Sequence, residues 1–501
     1  MFNRKEFIQT GALLTGGMLL GQAGIAGVLT RRSAGYISQR PRPEERLFTS
    51  EAIEKEIARV KEVIADPELA WLFENCFPNT LDTTVRHFGL VNGKWDSFII
   101  TGDIDAMWLR DSSAQVYPYV PYVNDDSKLK HLVQGVINRH ARSVLIDPYA
   151  NAFNYDRSRR SDWFTDDTDM KLEVHERKWE VDSLCYVIRL AYKYWKVTGD
   201  TLLFDEEWQS AMRLIVKTFK EQQRKKNEGS YHFQRNTNTP TDSLTGGGFG
   251  PRHKPVGMIC SMFRPSDDAT TLPFLVPSNL FAVASLKQLT EIMTALKQAD
   301  LADECNDLAA EVQDAIDKYA IVHVPDYGRV YAFEVDGFGS KIFMDESNMP
   351  NLVSLPYFGT TWGALDHVYG NTRKMMLSDA NPYYVTGKYG EGIGSEHTPR
   401  GYIWPLSLIA RAMTSNDDKE ITYCLEVLKA THAGTGFMHE SFNPDNPAIY
   451  TRKWFAWANT VFGELIVKIY NEKQAILKKQ IVNPEAREDK EDAKRQDDKS
   501  E

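Results

Sequence analysis

The chain has 501 residues, 26% charged and 42% hydrophobic, with a formal net charge of −10. This composition excludes a disordered chain, a collagen-like repeat and a disulfide-stapled miniprotein, and it can bury a large core. No Lys/Arg-dominated block exists to neutralise phosphates, which excludes nucleic acid as a partner.

Residues 1–30 have the architecture of an export signal. Arg4 and Lys5 precede an apolar run from Gly11 to Leu29, and Arg31 and Arg32 follow it. Gly16, Gly17, Gly21, Gln22 and Gly24 interrupt the run, so it predicts a cleaved segment that leaves no stable membrane span. The stretch Asn3 to Ile8 resembles a relaxed twin-arginine signal with Lys in place of the second Arg, which places the mature protein outside the cytoplasm, in a bacterial periplasm. The alternative is an uncleaved amphipathic anchor. A lipoprotein anchor is excluded because no Cys follows the run.

From residue 40 to 482 the pattern predicts one mainly α-helical domain. Apolar side chains three and four apart share a helical face at Leu184, Val187, Ile188, Ala191 and Trp195; at Leu289, Ile292, Met293 and Leu296; and at Leu301, Cys305, Leu308, Val312 and Ile316. The series continues through Ile421, Cys424, Leu425 and Leu428 to Trp454, Trp457, Val461, Leu465 and Ile469. Pro325-Asp326-Tyr327-Gly328 sits between β-formers in Ile321 to Val335 and predicts a hairpin insertion. The cysteines Cys76, Cys185, Cys260, Cys305 and Cys424 are odd in number and never in CxxC spacing, so they are expected as small core hydrophobes. From 484 to 501 nearly every residue is charged or polar, and this predicts a disordered tail.

Candidate chemistry sits between the stripes, in loops rich in carboxylates, Arg, His and Trp. In Thr101 to Ser112, Trp108 offers an aromatic face to a sugar ring, and Arg110 with Asp111 offers donors and acceptors to vicinal hydroxyls. The alternative there is a helix cap at Asp111 or Ser112 with a surface Arg–Asp pair. Asp182, in Trp179 to Ser183, is a ligand contact or an ordinary N-cap. In Phe263 to Asp268 two adjacent acids can split their pKa values, although a solvated acidic turn would have the same sequence. Tyr389 to Thr398 and Gly436 to Phe442 both combine an acid and a His with glycine. The first lacks the Gly-Lys-Ser/Thr ending of a phosphate loop, and neither has the HExxH spacing of a zinc site. With no nucleophilic Ser elbow, Cys/His signature or cofactor fingerprint, two-carboxylate glycoside hydrolysis fits best.

At these clusters the sequence resembles glycoside hydrolase family 125, exo-acting α-1,6-mannosidases with an (α/α)6 barrel. The likeness runs from about Arg46 to Tyr470. It includes Thr101 to Ser112, Phe263 to Asp268, Pro277-Ser278-Asn279, Leu355-Pro356-Tyr357, Gly392 to Ser395, Met438 to Phe442 and Tyr450 to Asn459. It implies an inverting enzyme that needs no metal and no cofactor and acts on mannose-containing oligosaccharides. It carries the general acid onto Asp267, with Asp268 the rival, and the general base onto Glu440. It makes Trp108, Arg110, Asp111, Asp182, Asp268, Glu391, His397 and Arg452 sugar-pocket residues. Where family members often have Pro before the His, this chain has Glu396. Two other classes stay open: a glycan-binding protein that has lost catalysis, and a sugar isomerase or lyase on the same barrel.

Overall fold

A computed structural model describes residues 36–360 and 366–482. The expected export signal at 1–30 and the expected disordered tail at 484–501 lie outside these residues. From Ser38 onward the described chain forms one compact unit.

Helices alternate between an outer and an inner ring, in an (α/α)6 barrel. The chain enters through α1 (Glu51–Lys61), α2 (Pro67–Cys76) and α3 (Asn79–Thr83). Inner α4 (Leu109–Val116) is followed by outer α5 (Ser127–Ile146), inner α6 (Val181–Thr198) by outer α7 (Glu206–Gln222), and inner α8 (Val276–Ala295) by outer α9 (Ala299–Tyr319). The next inner position is a single 3-10 turn, Leu355–Phe358, followed by outer α10 (Asp366–Met376). Inner α11 (Pro405–Met413), outer α12 (Asp418–Ala430) and inner α13 (Ala456–Glu472) complete the sequence. α13 packs against both α4 and α2, so the first and last helices close the ring.

The sequence pattern explains the two layers. α9 carries its apolar residues on one stripe, Leu301, Cys305, Leu308, Val312 and Ile316, and turns the rest to solvent. α8 is buried on nearly every side from Val276 to Leu286, as a helix ringed by other helices must be. All five cysteines are free and buried. The expected hairpin forms as Ile321–Val324 paired with Gly328–Tyr331, with Asp326 in the left-handed region at its tip. Other short antiparallel pairings join strands in the loops that precede inner helices, among them Met107–Trp108 with Ala152–Phe153, and Ser441–Asn443 with Asn446–Thr451.

The start and end of the described barrel are tied together. Asp66 caps α2 and accepts Lys429 Nζ at 2.7 Å and the Ile481 amide at 3.1 Å, and the Ala65 amide donates to Leu477 O at 2.8 Å. Among the described residues no helix is long and apolar enough to cross a membrane.

Candidate active site

The loops that enter the inner helices meet at one end of the barrel, and the helix starts bring their polar residues together. Trp108 holds the N-cap position of α4 in extended backbone, which puts Arg110 and Asp111 in the buried first turn. The alternative cap at Asp111 or Ser112 does not form: Ser112 Oγ bonds back to Trp108 O at 2.6 Å. Nor is there a surface Arg–Asp pair, because Arg110 is buried and reaches across the ring. Its Nη2 lies 3.1 Å from Asp267 Oδ1, and its Nη1 pairs with Glu180 and lies 3.5 Å from Asp182 Oδ2. Asp182 is no N-cap either. That position belongs to Glu180, whose own side chain makes no capping bond. Burial pushes Asp182 up to about 6 against the pull of Arg110, and burial likewise raises Asp111 to about 6.

Asp267 sits in a tight turn. Its amide donates to Arg264 O at 2.9 Å, the Arg264 amide donates to Asp268 O at 2.8 Å, and Asp267 takes a φ of 67°. An L residue held there costs about 1–2 kcal/mol, a strain typical of functional loops. Asn151 Nδ2 donates to Asp267 Oδ1 at 3.2 Å, and Lys178 Nζ donates to its carbonyl at 2.7 Å. Burial alone would raise the Asp267 carboxyl; Arg110 and Lys178 outweigh it and hold the group below its ordinary range. Glu180, which shares Arg110 with it, goes the other way, driven well up by burial.

Asp268 faces His397 instead, at 3.4 Å. Burial opposes both charges, but the pairing wins. Asp268 is lowered, and His397 is raised to about 9, with Glu440 and Asp267 adding to the effect. His397 therefore lies within electrostatic reach of both expected catalytic carboxylates. Behind this turn Arg264 pairs with Glu334 at 2.7 Å and with Glu396 at 3.1 Å, which gives Glu396 a place as an outer partner of Arg264. Glu346 accepts from Ser266 Oγ at 2.9 Å and is pushed up to about 7 by burial.

Glu440 immediately precedes the Ser441–Thr451 hairpin and faces Arg452 Nη1 at 3.4 Å. Arg452, itself at φ 44°, also donates to Thr101 O at 3.1 Å and pairs with Asp103. Gly102 makes that approach possible: its φ is 66°, and a Cβ there would sit 3.2 Å from the Trp454 ring. His439 stacks on Tyr450 with centroids 3.8 Å apart, and its Nδ1 is 2.8 Å from Lys453 O. Burial lowers it to about 4, so it is a neutral support for the hairpin.

Two expected pocket residues stand apart. Glu391 is in the strand Gly390–Ile393, where its carboxylate pairs with Arg411 at 3.2 Å and its amide donates to Tyr423 Oη at 2.9 Å. Trp108 is only 6% exposed and meets His175 edge-on, so it is not an open platform. Its Nε1 still has no hydrogen-bond partner among the described residues, nor does Arg452 Nε. Buried groups of this kind suit a ligand rich in hydroxyls. Among the described residues no group of three or more His, Cys, Asp or Glu is arranged to hold a metal ion. Sequence reasoning missed Asn151, Lys178, Glu180 and Glu346. Only Glu180 lay within a cluster that drew attention.

A family model described as "Metal-independent alpha-mannosidase (GH125)" matches residues 66–467. The meiotically up-regulated gene 157 protein of Schizosaccharomyces pombe is 42% identical over 460 residues, 88% of this chain and 90% of that protein. A Streptococcus pneumoniae metal-independent α-mannosidase, solved in a non-productive complex with α-1,6-mannobiose, is 41% identical, with a TM-score of 0.81 over 85% of this chain and all of that one. The Saccharomycopsis fibuligera glucoamylase shares the fold alone, at 12% identity and a TM-score of 0.50 over 86% of this chain and 98% of that one.

Proposed function

The chain belongs to glycoside hydrolase family 125, the metal-independent α-mannosidases, and from that premise we propose that it is an exo-acting α-1,6-mannosidase. It removes non-reducing terminal mannose from mannan or N-glycan-type oligosaccharides by an inverting displacement. The observation that carries this reading is the division of the site. Asp267 and Glu440 enter from loops before two different inner helices, with the cations Arg110, His397 and Arg452 set among them.

In the inverting reaction Glu440 takes a proton from water as that water attacks the anomeric carbon, and Asp267 protonates the departing glycosidic oxygen. Between the two adjacent acids, Asp267 is favoured. It adjoins a second buried carboxyl, and such pairs keep a proton; Asp268 adjoins His397 and stays ionised. Asp111, Asp182 and Arg110 then hold the hydroxyls of the terminal sugar. The precedent for the linkage is the α-1,6-mannobiose bound to the S. pneumoniae relative. The segment 1–30 supports export, and N-terminal sequencing of the mature protein from a periplasmic fraction tests it.

The deciding experiment is proton NMR of a fresh α-1,6-mannobiose digest with a chelator present and α-1,2- and α-1,3-linked controls. Immediate β-mannose from the 1,6 substrate alone is expected. Initial α-mannose would reject Glu440 as base, and binding without hydrolysis would favour a glycan-binding protein.

A further inference from the structure

We propose that Glu180 is the resting site of the proton that Asp267 delivers, so that the acid of this enzyme is a two-carboxyl unit. The inference rests on the reading of Asp267 as general acid.

Glu180 stands at the N-cap of α6, where a carboxylate would ordinarily turn back to the first amides. Its side chain, fully enclosed at 0% exposure, instead turns to Arg110, the guanidinium it shares with Asp267. Two donors bridge the pair. Arg110 places Nη1 on Glu180 and Nη2 on Asp267, and Asn151 Nδ2 lies 3.5 Å from Glu180 Oε1 and 3.2 Å from Asp267 Oδ1. Ser183 Oγ donates to Glu180 Oε2 at 2.7 Å. Two carboxyls held against the same guanidinium and the same amide repel each other when both are ionised, which favours a proton on one of them.

The surrounding charges show where that proton rests. Arg110 faces Glu180 from α4, Asp267 from the loop before α8, and Asp182 from Glu180's own helix. Asp111 lies on the far side of Arg110, and Lys178 lies on Asp267. Asp111, Glu180, Asp182 and Asp267 thus gather around one paired cation, Arg110, while Lys178 reaches the Asp267 carbonyl and pairs with Asp242 at 3.1 Å. Glu176 also approaches Lys178, at 3.5 Å, but takes Arg235 at 2.9 Å. So large a buried excess of acid is relieved by retaining protons. Arg110 acts on both carboxyls, so enclosure and Lys178 separate them: Asp267, 22% exposed and lowered by Lys178, carries the negative charge, while Glu180, at 0%, keeps the proton.

During turnover the C1–O bond breaks, the leaving oxygen takes a proton from Asp267, and Asp267 takes one from Glu180. Glu440 gains the proton of the attacking water. The cycle resets when Glu440 loses that proton to solvent and the carboxyl pair regains one.

The test is Glu180→Gln, which keeps the shape and can donate to Asp267 but has no proton to release. Turnover and pH profiles are measured on α-1,6-mannobiose, whose leaving group needs protonation, and on α-mannosyl fluoride, whose leaving group needs far less. Mannobiose turnover should fall about 100-fold or more, with a loss on the fluoride at least about tenfold smaller. Because Asp267 beside Arg110 and Lys178 is then the sole acid, the alkaline limb should move about one unit or more toward acid pH. Glu180→Asp, which keeps a titratable carboxyl, should restore part of that limb. Equal losses on both substrates with an unmoved limb, or unchanged mannobiose turnover, would overturn the inference. Should Glu180→Gln not fold, Glu180→Asp carries the test: a wild-type limb with equal losses on both substrates overturns the proposal. A wild-type enzyme that leaves mannobiose intact fails the functional reading instead.

Discussion

The two rings of the barrel end their helices differently. Four outer helices are closed by their own caps, Asp66 on α2, Asp126 on α5, Asp205 on α7 and Asp417 on α12, each accepting amides of the following turn, whereas Gln298 on outer α9 makes no such bond. The inner helices α4, α6, α8, α11 and α13 have Trp108, Glu180, Leu275, Trp404 and Phe455 at the cap position, and none makes a side-chain capping bond. Outer polar residues serve helix stability. Inner ones leave the positive helix ends uncovered and turn to one another across the site, where those ends favour carboxylates.

Substitutions on the two rings should separate catalysis from stability. The largest effect is expected from Asp267→Asn and Glu440→Gln, each lowering turnover by about 10²- to 10⁴-fold with little change in melting temperature. Near-wild-type rates in both would end the assignment and make the inner ring as structural as the outer. Next comes Arg110→Met, which leaves Glu180, Asp182 and Asp267 without their shared cation. A loss of about 3–5 kcal/mol in urea unfolding is expected, together with lost activity. On the outer ring, Asp417→Ala removes the bond to the Lys419 amide. It should cost about 1 kcal/mol and leave turnover unchanged, which kinetics and melting on one preparation will show.

The smallest effect is a pH dependence. His397 is raised from 6.5 to about 9 in the fold, so the stability it contributes is complete below 6.5 and is lost as pH rises through about 9. The melting-temperature gap between wild type and His397→Gln should therefore be widest near pH 6 and close toward pH 9.5. A gap that stays constant across that range would remove the His397–Asp268 pair as its source.

The sequence made the helices legible because their periodicity is local. The stripes at Leu184 to Ala191 and at Leu301 to Ile316 fall on α6 and α9, and Pro325 to Gly328 turns where expected. The alternation of rings was not local and came only through family likeness. In the site, the motif around Asp267 and Asp268 stood out because two acids in a loop are conspicuous. Glu180 did not, because what distinguishes it is total burial against residues 70 and 87 positions away. Asn151 and Lys178 have no motif at all; only folding brings them to Asp267. Glu391 shows the converse error. Its acid-and-glycine surroundings matched those of His397, but Gly390 and Gly392 there serve close packing of the strand against Val427 and Ile403, and the carboxylate goes to Arg411.

The tie between Ala65–Asp66 and Leu477–Ile481 also sets the order of events during synthesis. The ring's closing contacts join residues more than 360 positions apart, as in Lys429 with Asp66. Contacts of such high sequence separation form late. A growing chain can assemble hairpins of inner and outer helices as they emerge, but its barrel stays open until nearly the last described residue has left the ribosome. Asp267 and Glu440 therefore share a closed site only once α13 is in place, and a ribosome that stalls before α13 releases a product that has Asp267 but no closed ring around it.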